Sequence, residues 1–81
     1  MKLTFIELPP FERYWKEHIS DEAYRLFQNE LLDNPEKGDV IQGTGGLRKI
    51  RLTDHSRHKG KRGGARAIYH YFVNGNQIWL F

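Results

Sequence analysis

The spacing of apolar residues along this chain shifts from alternation to a helical repeat and back. Residues 2–6, Lys2-Leu-Thr-Phe-Ile6, alternate as a short strand does, with Leu3 and Phe5 on one face and Thr4 and Ile6 on the other. Pro9-Pro10 ends that run, and a proline suits the first turn of a helix. Phe11, Tyr14, Trp15 and His18 then recur at helical spacing, which predicts a short amphipathic helix over about residues 10–18, with His18 partly buried near its C-terminus. Ser20 followed by Asp21 and Glu22 is N-cap chemistry with acids where the helix dipole favours them. The second helix it opens carries Ala23, Phe27 and Leu31, flanked by Tyr24 and Leu32, toward a core. Arg25, Asn29 and Asp33 face water, and Asn34-Pro35 forbids continuation.

Alternation returns in the second half. Residues 38–46 contain four glycines and read as a turn that aims the next strand. A nucleotide-binding Walker loop needs a lysine after its last glycine, and the residue after Gly43 is Thr44. In residues 47–52 Leu47, Lys49 and Arg51 share one strand face, and Arg48, Ile50 and Leu52 share the other. Residues 65–73 set Arg66, Ile68, His70 and Phe72 against Ala67, Tyr69, Tyr71 and Val73, aromatic enough for a central strand. Asn74-Gly75 predicts a two-residue hairpin turn that closes Phe72-Val73 onto Asn76-Gln77. The final strand is apolar through Phe81 and, read as lacking a covering segment, is expected to drive dimerisation or aggregation in the absence of a partner.

These elements give an α+β expectation: one domain over residues 1–81, ordered β-α-α-β-β-β, with the helical pair on one face of a small, mostly antiparallel sheet. A domain of this length buries roughly 60 to 65 per cent of its unfolded surface and builds a single core. The chain has no cysteine, which excludes disulfides and thiolate metal sites and suits a reducing compartment. No apolar run approaches the roughly 18 residues of a membrane span, and residues 1–30 lack the order of a secretory signal, so a cytoplasmic protein without a membrane partner is expected.

Charge changes the picture more than composition does. The formal net charge of +3 conceals a split: residues 1–46 carry five basic and nine acidic side chains, whereas residues 47–81 carry eight basic and one acidic. Such asymmetry directs the second half at a polyanion. Lys49 and Arg51 point together from one strand face, about 6.6 Å apart along it. The loop of residues 53–64 adds Arg57, Lys59, Lys61 and Arg62 among glycines, with no large apolar residue. Together with Arg48 these cations are the candidate nucleic-acid contacts, to RNA or DNA on charge alone and to RNA on the resemblance given below. His55 and His58, with Asp54 beside them, have metal-ligand character, but no further histidine or sulfur ligand adjoins them and no metal is expected. The acidic residues Glu22, Glu30, Asp33 and Glu36 read first as a solvated helix face, and second as a contact for another protein.

The order of helix pair, glycine turn, cationic strand, basic loop and aromatic hairpin resembles a RelE-superfamily toxin of the HigB type over nearly the whole chain. The most specific stretches are Gly38-Asp-Val-Ile-Gln-Gly-Thr-Gly-Gly-Leu-Arg-Lys-Ile-Arg-Leu52 and Gly60-Lys-Arg-Gly-Gly-Ala-Arg-Ala-Ile-Tyr-His-Tyr-Phe72. The resemblance implies a ribosome-dependent mRNA endonuclease that works without metal or cofactor and is held inactive by a cognate antitoxin. Its partners are then antitoxin, ribosome and mRNA. Lys49 and Arg51 match the family's strand cations, and Arg66 matches the arginine that opens its next strand, making these three the catalytic candidates. A further family position, beyond the strand equivalent to residues 77–81, has no counterpart here. That leaves open the alternative of an impaired, shortened toxin that binds antitoxin or RNA and cuts nothing.

Chemically, the ribose 2′-hydroxyl attacks its own phosphodiester, which calls for a base, an acid and charge stabilisation. Arg66 holds phosphate oxygens bidentately and accepts no proton. Lys49 serves as a base only if neighbouring cations lower its pKa. His70 shares the face of Arg66 about 13 Å along the strand, a weak acid–base candidate, and Tyr69 and Tyr71 are expected to pack the sheet.

Overall fold

A computed structural model describes residues 2–52 and 65–81; the basic loop of residues 53–64, with Arg57, Lys59, Lys61, Arg62, His55 and His58, lies outside them. Strand β1 (Thr4–Glu7) leads into helix α1 (Pro9–His18), which Pro9 and Pro10 begin. Helix α2 (Asp21–Asp33) starts as its sequence predicts, the Ser20 hydroxyl accepting from the Ala23 N–H at 3.0 Å. Four more strands follow: β2 (Asp39–Val40), β3 (Arg48–Leu52), β4 (Ala65–Phe72) and β5 (Gln77–Leu80).

The strands form one sheet in the order β1-β5-β4-β3-β2. Every neighbouring pair is antiparallel except β1 and β5, which run parallel with Thr4 beside Gln77 and Ile6 beside Trp79. The architecture is therefore the expected α+β arrangement, with one strand more than the pattern shows. The last strand is also not a bare edge: β1 lies along its outer side, so the reason for expecting dimerisation through it is gone.

Both helices lie on one face of the sheet. Phe11, Ile19, Ala23, Tyr24, Phe27 and Leu31 meet Ile50, Leu52, Ala67, Tyr69, Ile78 and Leu80 in a single buried core. The apolar stripe of α1 is narrower than its spacing suggests, because Phe11 and Trp15 turn inward and Ile19 continues that line one residue beyond the helix. Tyr14 and His18 lie outside it, exposed, with rings 5.0 Å apart. Glu7 ties β1 to this layer, its carboxylate accepting from the Tyr24 hydroxyl at 2.5 Å and the Trp15 indole N–H at 3.2 Å.

The hairpin between β4 and β5 keeps the expected register, Phe72 opposite Gln77, but its turn differs. Val73–Gly75 form a 3-10 turn closed by the Asn76 N–H on the Val73 carbonyl at 3.3 Å, and Asn76 takes the left-handed conformation with φ 52°. The Val73–Asn76 pair is thus a turn rather than a ladder rung. Asn tolerates that conformation, and the Asn76 carbonyl is left to accept from the Thr4 N–H at 3.0 Å, joining the turn to β1.

Candidate nucleic-acid interface

The face of the sheet away from the helices is where the cations gather. Ile50 and Leu52 are buried against α2, so the alternation of β3 sends Lys49 and Arg51 to the opposite face, where both are exposed. Pairing with β4 places Arg66 directly across from Arg51 and Ile68 across from Lys49. Cross-strand partners share a face, so Lys49, Arg51 and Arg66 converge on one patch. They line a shallow depression of about 440 Å³ together with Lys37, Gly38, Asp39 and the edge of Ile50. None of the three has a carboxylate ion-pair partner among the described residues; the ion pairs there are Lys16–Glu12, His18–Glu17 and Lys37–Glu30. A larger depression, about 590 Å³, lies against α2 between Leu26, Phe27 and Leu52 with Glu30 and Asp33 at its rim, and no cation lines it among the described residues.

Arg48 is placed differently from the other cations of its segment. It sits on the helix side of β3, and its guanidinium donates to the Glu36 carbonyl at 3.0 Å and the Gly38 carbonyl at 2.7 Å. Its cross-strand partner Tyr69 is fully buried and holds the same connection from the other side, accepting from the Gly38 N–H at 2.9 Å and donating to the Pro35 carbonyl at 2.8 Å. Burial pushes the Tyr69 phenol up from its ordinary range. Arg48 and Tyr69 together fix the segment that leads from α2 into β2, and β2 carries Asp39 opposite Lys49. Gly38 has no room for a side chain: a Cβ there would stand 2.8 Å from the Tyr69 ring and 2.9 Å from the Lys49 carbonyl.

The glycine turn is closed by its own hydrogen bonds. The Ile41 N–H donates to the Leu47 carbonyl at 2.8 Å, and the Thr44 hydroxyl donates to the Ile41 carbonyl while accepting from the Leu47 N–H at 3.1 Å. Gly46, with φ 122°, passes so close to His70 that a Cβ would lie 2.9 Å from the imidazole. His70 is thereby walled in beside the turn, four residues from Arg66 with Ile68 between them. Tyr71 is half-buried against the core, as Tyr69 is wholly.

Sequence reasoning missed Lys37 and Asp39. Asp39 belongs to a two-residue strand inside a glycine-rich stretch, too short for any period to show. Lys37 precedes that strand in the connection after α2.

No protein-family model matches this chain. Among solved structures it is similar to a double arginine-to-alanine variant of the E. coli toxin RelE in the free state, with a TM-score of 0.67 at 14% sequence identity. The fold is RelE-like. The match covers 99% of this chain and 79% of the E. coli chain, so it takes in every element described above.

Proposed function

We propose that this chain is a RelE-superfamily toxin of the HigB type, a ribosome-dependent endoribonuclease that cleaves mRNA and is neutralised by an antitoxin protein. The observation that carries the reading is the convergence of Lys49, Arg51 and Arg66, without ion-pair partners among the described residues, on the uncovered face of a RelE-like sheet.

The chemistry follows from the groups in that patch. The 2′-hydroxyl of one nucleotide attacks the adjacent phosphorus, the bond to the next nucleotide's 5′-oxygen breaks, and a 2′,3′-cyclic phosphate and a 5′-hydroxyl are left. Arg51 and Arg66, side by side, grip the non-bridging oxygens as their charge grows. Lys49, as an ammonium, donates a proton to the departing 5′-oxygen. Asp39 is the one carboxylate in the depression among the described residues, and a carboxylate accepts a proton where an ammonium or guanidinium cannot. It is the group in the patch suited to take the proton of the 2′-hydroxyl. Arg57, Lys59, Lys61 and Arg62 extend the phosphate contacts along the RNA, and the ribosome holds the codon in place. Arg48, engaged with two carbonyls, belongs to the support of the site.

A second reading, an RNA- or antitoxin-binding module without cleavage, is favoured by one feature: three fixed positive charges bind a phosphate whether or not it is cut. Translation of a reporter mRNA in a cell-free extract separates the two. Cleavage by the wild type that falls at least about 100-fold in Lys49→Ala/Arg51→Ala supports the nuclease. Undiminished cleavage by the double variant refutes the site, and binding without cleavage by the wild type establishes the module.

A further inference from the structure

The open face has a second half that the cation patch does not use. The ladder sets its side chains in rows: Arg51 beside Arg66; Lys49 beside Ile68; and, further along β4, His70 beside Trp79 and Phe72 beside Gln77. His70, Phe72 and Trp79 form an aromatic cluster there. The His70 and Phe72 rings meet edge to face at 4.3 Å, and Phe72 and Trp79 at 5.5 Å. The indole is pinned by its N–H on the Gln77 side-chain oxygen at 3.0 Å, and His70 is pinned by Gly46. Phe72 nonetheless keeps 42% of its surface in solvent. The helices pack on the other face and leave this one uncovered among the described residues.

We propose that Phe72, braced by His70 and Trp79, is a stacking subsite for a base of single-stranded RNA whose backbone is held at the cation patch. The inference rests on the reading of Lys49, Arg51 and Arg66 as a phosphate site. Three observations join the two halves. The cluster is continuous with the patch along one strand, Phe72 lying about 20 Å from Arg66, a distance that several nucleotides of extended RNA span. The adjoining charge is mainly positive, three cations beside Asp39 with no carboxylate ion-paired to any of the three among the described residues, which selects a polyanionic occupant over an apolar peptide. The rings already pack edge to face against one another and the indole is hydrogen-bonded to Gln77, so the cluster is assembled without the RNA and offers a base the exposed part of the Phe72 ring. Stacking of this kind reads no particular base, since each has a π-face. The subsite therefore sets where the RNA lies and leaves the choice of codon to other contacts.

The test measures affinity of the full chain for a 2′-deoxy-substituted oligonucleotide of about eight nucleotides, uncleavable and within the usual footprint of such sites. Phe72→Leu keeps an apolar side chain on an exposed position and removes the ring; Phe72→Trp keeps a ring. The proposal expects Phe72→Leu to bind roughly 5- to 100-fold more weakly with an unchanged salt dependence, and Phe72→Trp to bind like the wild type. Equal affinity of Phe72→Leu and wild type overturns the subsite while the cation site stands. Lys49→Ala/Arg51→Ala is the control for the underlying reading: it is expected to flatten the salt dependence, and an unaltered slope overturns the phosphate site and the subsite with it.

Discussion

Arg51 and Arg66 are direct cross-strand partners, two guanidinium groups opposed on the exposed face of adjacent strands. Like charges in that relation destabilise a sheet. With Lys49 one row away and no carboxylate ion-paired to any of the three among the described residues, the repulsion is left for a bound anion to relieve.

The opposed pair makes a stability prediction. Replacing Arg66 by Gln removes the repulsion and should stabilise the protein by about 0.2–1 kcal/mol. For a domain of this size that is a rise in Tm of roughly 1–6 °C at low salt, shrinking as salt screens the pair. RNA affinity should fall in the same variant. Scanning calorimetry of the two proteins decides the matter, and a lower Tm for Arg66→Gln would mean that the arginine's packing outweighs the repulsion.

Arg48 and Lys49 are sequence neighbours with opposite roles. Arg48→Ala strips two carbonyl acceptors of their donor and should cost about 1–3 kcal/mol, read as a lower denaturant midpoint. Lys49→Ala, on the exposed face, should move stability by less than about 0.5 kcal/mol and fall on RNA binding instead. Equal stability losses in the two variants would contradict the assignment of faces.

Tyr69 and Gly38 form a matched pair in the support of the site. Tyr69→Phe leaves the Gly38 N–H and the Pro35 carbonyl without their partner in a buried place, for a loss of about 1–3 kcal/mol. Gly38→Ala drives a methyl into the Tyr69 ring and the Lys49 carbonyl and should cost a similar amount. Because both act on the same contact, the double variant should lose less than the two losses added. Strict additivity in a double-mutant cycle would show that they act separately.

Alkali should unfold this protein through its tyrosines. Burial, reinforced by the Glu7 carboxylate, pushes the Tyr24 phenol far up, and burial also raises Tyr69. Below the unfolded value of about 10 both states hold the proton and stability is complete. As pH rises past it, the unfolded chain ionises while the folded phenols stay protonated, so stability falls until the folded pKa is passed. Tm followed from about pH 8 to 11 should decline above about 9.5, and Tyr24→Phe should flatten part of that decline. A flat profile in the wild type would show that the hydroxyls ionise in place.

Much of the site was legible because it depends on local period. Alternation alone sorted Lys49 and Arg51 from Ile50 and Leu52, and Ser20, Asn34 and Pro35 bounded α2 where the structure bounds it. Alternation also set Arg48 on the face of Ile50 and Leu52, but no sequence pattern displays the two backbone carbonyls that its guanidinium reaches there. His18 misled: helical spacing put it on the apolar face, and Ile19 took that place.

By itself, then, the sequence determined which residues form each element, which face of β3 bears charge, and the register of the last hairpin. All of these follow from interactions between residues close in the chain. Tertiary structure alone decided that Thr4–Glu7 would run parallel to Gln77–Leu80, that Asp39–Val40 would join the sheet, and that Arg66 would stand against Arg51 rather than a residue away. Those pairings join segments distant in sequence, and they are selected by how completely Tyr69, Ile78 and Leu80 are buried beneath the helices. That burial is a property of the assembled core, which no local window of the chain contains.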